Sequence, residues 1–138
     1  MAEMIEVTQI AGESMVVNQG DIYWARSGEP GGLESDYAHP YVIIQDDVIN
    51  RSRINTVVVC ALTTNLRRAK APGNVLLQAG EANLPRQSIV MVSLVSTVDK
   101  SQLGEYIGSL NEQRIHQILA GMQFLQRMSG HRETGERK

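Results

Sequence analysis

His39 closes the segment LESDYAHP, behind the acids Glu34 and Asp36 and directly before Pro40 and the strand-forming run YVIIQ. Imidazole is the side chain that exchanges protons most readily near neutrality, and a carboxylate a few residues upstream can accept a proton or keep the imidazole charged. A second polar group, Thr63, Thr64 and Asn65, follows the apolar run TVVVCAL and offers hydroxyl and amide donors. Arg67, Arg68 and Lys70 come next in LRRAK, where they can follow a row of anionic groups. Together these types can exchange protons, donate hydrogen bonds and meet anionic groups. Each also has a plainer reading: threonine is common at strand ends, a histidine can cap a loop by hydrogen bonding, and a basic turn is often only solvated.

The elements that hold these residues are mostly strands. In QGDIYWARSG, Gly20 and Asp21 make a turn, and Ile22 and Trp24 alternate with Tyr23 and Ala25 in the period of a strand. Trp24 is expected to pack in the core at that position. Gly28, Pro30, Gly31 and Gly32 then form a loop longer than an ordinary hairpin connection, and Pro40 biases His39 away from the helical region before the second strand. NTVVVCALTT reads as a buried third strand and RRAKAPGN as a basic turn. NVLLQ, QSIVMVSLVSTVDK and GEYIGSL supply further strands. Helix comes late, in NEQRIHQILAGMQFLQRM, with Asn111 as N-cap and Ile115, Ile118, Leu119, Met122 and Leu125 at helical spacing. His116 beside that stripe reads as an interfacial structural histidine. The fold expected is mainly β (α+β), a small barrel carrying one C-terminal helix, with residues 1–18 as an N-terminal extension, 19–128 as the domain and 129–138 as a disordered polar tail.

Composition narrows the function classes. A chain of 138 residues at 42% apolar makes one ordinary core. Thirteen basic against fifteen acidic side chains, a formal charge of −2, argue against a general polyanion binder and leave room for a local basic patch. The single cysteine, Cys60, sits inside an apolar run and reads as a small buried residue, so a reducing, cytoplasmic setting is expected. The first residues carry acids where a secretory leader needs basic ones, and no run approaches the roughly 18 apolar residues of a membrane span. No His/Cys ligand cluster or glycine-rich phosphate loop is present, so no metal or cofactor is expected.

The order of segments, GDIYWA, a glycine-containing loop with Glu34, then HPYVIIQDDVIN, TVVVCALTT, LPRQSIVM and STVDKSQLG before a helix, resembles the MazF/PemK/Kid family of bacterial toxin endoribonucleases over residues 18 to 128. The resemblance implies an SH3-like barrel with a terminal helix, a homodimer, and an mRNA interferase that is neutralised by a small partner antitoxin. It further implies cleavage of single-stranded RNA without metal, in which the ribose 2′-hydroxyl attacks the adjacent phosphorus and the 5′-oxygen leaves.

Carried over residue by residue, the family's threonine falls on Thr63, its loop glutamate on Glu34 and its arginine on His39. Thr63, His39 and Glu34 are thus the expected catalytic residues. Asp36, Thr64, Asn65, Arg67, Arg68 and Lys70 are the expected RNA contacts. His39 for arginine is the main departure, exchanging a fixed cationic fork of five donors for a group with at most two that transfers protons better. Leu94 and Ser96 in SLVSTVDK also stand where the family often has glutamine and arginine. Two other functions stay open on the sequence: a binding module of the same fold that engages antitoxin or RNA without cleaving, and a CcdB-like gyrase inhibitor.

Overall fold

The computed structural model describes residues 16–26 and 38–136, with side chains as far as Arg127. Glu34, Asp36, the loop that holds them and most of the N-terminal extension lie outside the described residues. Among the described residues six strands and two α-helices follow in order: β1 Asp21–Ala25, β2 His39–Ile43, α1 Asp47–Asn50, β3 Thr56–Thr63, β4 Val75–Leu77, β5 Ser88–Asp99, β6 Leu103–Ser109 and α2 Glu112–Glu136. The strands form one antiparallel sheet in the order β4-β5-β3-β2-β1-β6.

β3 sits at the centre because its sequence is apolar on both faces. Val57, Val59 and Ala61 point to one side, Cys60 and Leu62 to the other, and all five are buried. On the first side they join Val17, Tyr23, Ala25, Tyr41, Ile43, Ile89, Met91, Val98 and Leu103 in one core. That core draws on β1, β2, β3, both ends of β5 and the start of β6, so the sheet curls over its own face as a small barrel does. The curl has a local cause. From Cys60–Val95 to Leu62–Val90 the pairing advances two residues along β3 and five along β5, and the surplus bends the long strand.

The second core, on the opposite face, gathers Ile22, Val42, Cys60, Leu62, Val90 and Val92 under α2. Asn111 starts that helix as expected, its side-chain oxygen accepting from the Arg114 N–H at 2.9 Å. Ile118 is fully inside, with Ile115, Met122 and Leu125 packed beside it. Gly121 lets the helix approach the turn at Gly73 so closely that a Cβ on residue 121 would lie 2.1 Å from the Gly73 carbonyl oxygen. Glu81 accepts from Arg114 Nε at 2.9 Å and Nη2 at 2.7 Å, a two-pronged clamp between the turn before β5 and the helix.

Four expectations change. Val17 is fully buried and Asn18 donates its N–H to Asp21 at 3.0 Å, so the packed unit begins before residue 19. His116 is exposed rather than interfacial, because the helix turns its Ile115–Ile118–Met122 stripe to the sheet and 116 falls beyond that stripe's edge. The helical backbone continues to Glu136, into the segment whose polar composition suggested disorder; charged residues such as Arg132 and Glu133 are acceptable helix formers. Trp24 is 39% exposed, for the reason given with the site below. Among the described residues no helix is long and apolar enough to cross a membrane.

Candidate active site

β2 and β3 pair through Tyr41–Ala61, Val42–Cys60 and Ile43–Val59. The pairing ends at Tyr41–Ala61; His39, which opens β2, and Thr63, which ends β3, each lie two residues beyond that pair. His39 pairs with Ala25 on β1, and Thr63 with Ile89 on β5. Residues two apart along a strand share a face, so His39 follows Tyr41 and Thr63 follows Ala61 on the face of the first core. Both are half-buried there, while their neighbours along that row, Ala25 and Ile89, are fully inside.

The Thr63 hydroxyl is oriented by its own loop: it accepts the Asn65 N–H at 3.1 Å. That bond occupies a lone pair and leaves the O–H proton to donate outward, which suits a group that meets a phosphoryl oxygen. The Asn65 side chain in turn accepts the Arg67 N–H at 3.2 Å and starts a 3-10 turn, Leu66–Lys70. Asn65 therefore has a structural duty through its oxygen. Thr64 is exposed at the strand end, and Arg67, Arg68 and Lys70 are exposed on the turn with no ion pair among the described residues.

That basic turn is held from behind by a residue the sequence did not single out. Asn74 donates from Nδ2 to the Arg68 carbonyl at 2.9 Å and accepts the Val92 N–H at 3.0 Å, tying the turn to β5. The Gly73–Gly121 contact ties the same turn to α2. Only the pairing of amide donor and acceptor with two distant backbone groups reveals this, and nothing in the local sequence encodes it.

Of the two aromatic residues on β1 that face opposite sides, Tyr23 is the core residue. Burial first, then Asp21 and Tyr106, push its phenol up to about 12, so its hydroxyl stays protonated at neutral pH. Its ring meets that of Tyr106 edge-on at 5.5 Å. Trp24 is left open because its strand neighbours are small or short: Pro40 opposite on β2 and Gly104 on β6 give nothing to cover the indole. It borders an open cleft of about 450 Å³ with Arg26, Ala38 and Gln102.

Thr63, Thr64, Asn65, Arg67, Arg68 and Lys70 are thus gathered on one strand end and turn, while His39 opens the neighbouring strand β2. Glu34 and Asp36 lie outside the described residues. Cys60 donates Sγ–H to the Met91 carbonyl at 2.9 Å, and burial pushes its thiol up to about 12, so it has no part in the chemistry. Among the described residues no three His, Cys, Asp or Glu side chains gather as a metal ion would need.

Comparison with known proteins adds kinship to this geometry. The family described as PemK-like, MazF-like toxin of type II toxin-antitoxin system matches residues 18–125. Endoribonuclease MazF6 of Mycobacterium tuberculosis is 36% identical over 108 residues, which is 78% of this chain and 95% of that protein. Among solved structures, MazF (Form-I) from Deinococcus radiodurans is similar with a TM-score of 0.65 at 17% identity, over 80% of this chain and 96% of that one. An endoribonuclease in complex with its cognate antitoxin, from a mycobacterial species, gives 0.62 at 24% identity over 77% and 90%. At those identities the two structures speak for the fold.

Proposed function

The chain belongs to the PemK-like, MazF-like toxins of type II toxin-antitoxin systems, and from that premise we propose that it is an endoribonuclease that cuts single-stranded RNA at the sheet rim bearing His39 and Thr63. The observation that supports this is that His39 and Thr63 end their strands on one sheet face, each two residues beyond the Tyr41–Ala61 pair, with the Thr63 hydroxyl accepting the Asn65 N–H. The name of the mycobacterial relative supports the activity. A homodimer and an antitoxin partner are part of the same reading, and the complexed structure of a fold relative supports the latter.

The reaction needs no co-reactant. The 2′-hydroxyl gives its proton to a base as its oxygen bonds to phosphorus, the bond from phosphorus to the 5′-oxygen breaks, and that oxygen takes a proton from an acid. We assign the acid to His39 and the base, on its position in the sequence alone, to Glu34, with Asp36 beside it. Thr63 donates to a non-bridging oxygen, where charge accumulates, and one positioned donor of that kind contributes roughly 100- to 1000-fold. Thr64, Asn65 through Nδ2, and the cations Arg67, Arg68 and Lys70 hold the flanking phosphates.

Incubating the purified chain with a long RNA in EDTA tests the proposal. Fragments with 2′,3′-cyclic phosphate and 5′-hydroxyl ends are expected. Intact RNA, or fragments with 5′-phosphate ends, would count against it.

A further inference from the structure

We propose that the cleft beside Trp24 is a nucleobase subsite, which takes one base of the RNA strand next to the cleaved phosphate; this rests on the endoribonuclease reading above. The cleft is lined by Trp24, Ala25, Arg26, Ala38, Gln102 and Gly104 and encloses about 450 Å³. One of its wall residues, Ala25, pairs with His39, and another, Ala38, precedes His39 in the chain.

Three of its walls have unspent binding capacity of complementary kinds. Trp24 keeps 39% of its surface exposed although it lies within a strand. A side chain at position 104 would crowd it, because a Cβ there would lie 3.0 Å from the Trp24 carbonyl oxygen and 3.7 Å from its Cβ. Glycine at 104 therefore keeps the indole flank open. Gln102 is oriented by the Asp99 N–H, which donates to its Oε1 at 2.7 Å. That bond fixes which end of the carboxamide is oxygen and leaves the two Nε2 protons without an acceptor among the described residues. Arg26 is exposed and has no hydrogen bond or ion pair among the described residues.

A planar aromatic face, an oriented pair of N–H donors and a guanidinium match the three parts of a nucleotide. The base stacks on the indole, a carbonyl oxygen on its edge accepts from Gln102, and its phosphate meets Arg26. An apolar side chain from a protein partner would use the indole and leave both polar walls unsatisfied, so RNA is the better occupant.

Trp24 is the only tryptophan in the chain, so its fluorescence reports this cleft alone. Titration with short single-stranded oligo-U, oligo-C, oligo-G and oligo-A should change that emission along the same curve as binding followed by anisotropy. Trp24→Ala should weaken binding by roughly 5- to 150-fold, the range for losing one stacked base, and Trp24→Phe should recover most of it. Gln102→Glu keeps the acceptor for the Asp99 N–H but replaces the donors with negative charge. It should alter the base preferred at one position of the mapped cut sites while circular dichroism stays unchanged.

RNA binding at saturation with unaltered Trp24 emission would overturn the subsite, as would Trp24→Ala and Gln102→Glu proteins that bind and cut like the wild type. Loss of antitoxin binding in Trp24→Ala with RNA binding intact would reassign the cleft to protein and equally overturn it. If the wild type neither binds nor cuts RNA, the endoribonuclease reading itself has failed, a distinct result.

Discussion

His39 opens β2 and Thr63 ends β3, each two residues beyond the Tyr41–Ala61 pair and on the same face of the sheet as that pair. Residues brought together by a sheet register are held by every hydrogen bond of the ladder behind them. His39 and Thr63 are both carried by strands rather than by a loop.

Thr63→Val, which preserves shape and removes the hydroxyl, should slow single-turnover RNA cleavage by roughly 100-fold or more, and Thr63→Ser should stay within about tenfold of wild type. Because valine also gives up the bond from the Asn65 N–H, circular dichroism and RNA binding should accompany the rates. A Thr63→Val enzyme of wild-type rate would remove Thr63 from the chemistry.

Replacing Arg67, Arg68 and Lys70 together with alanine should weaken RNA binding without changing where RNA is cut. Single-stranded RNA loses roughly 0.7 in the slope of log affinity against log salt for each phosphate contact removed, so the triple variant should flatten that slope by up to about 2. An unchanged slope would show that the turn is merely solvated.

The Glu81–Arg114 clamp gives a stability prediction with a defined pH sign. The guanidinium hydrogen bonds of Arg114, opposed by burial and helped by the Gln78 N–H, hold the Glu81 carboxyl below its ordinary value. A lowered folded value stabilises fully above the unfolded value and is lost as pH falls through the folded one. Glu81→Gln should therefore cost about 1–2 kcal/mol in denaturant unfolding at pH 7, and the gap to wild type should close as the pH drops below about 4. A gap that is constant from pH 7 to pH 3 would contradict the clamp.

Much of the fold was legible because it follows from pattern. VVVCAL is apolar at every position, as suits a strand buried on both faces, and Asn111 before the Ile115–Ile118–Met122 spacing marks the start of α2. Cys60 was readable as core on the same ground. Trp24 was not, because alternation assigns a residue to a face but says nothing of what covers that face; the answer lay in Pro40 and Gly104, which reach it only through strand pairing. The partners of Asn74 were hidden for the same reason, since Val92 is distant in sequence. Thr63 and His39 were each visible as reactive types, and the resemblance to a family linked them, but that both end their strands on one sheet face is a property of the folded sheet.

The most direct test of the account is the single-turnover rate of RNA cleavage in EDTA for the wild type and for His39→Ala, with RNA affinity measured alongside. The account predicts cleavage by the wild type, a loss of roughly 100-fold or more in His39→Ala, and an affinity that changes far less, the pattern for removing one positioned proton donor. His39→Arg, whose guanidinium stays protonated, should bind RNA well and cut slowly. Equal rates for wild type and His39→Ala would contradict the account, as would an inert wild type alongside an active His39→Arg, which would make this chain a binding module that lost its chemistry with its arginine.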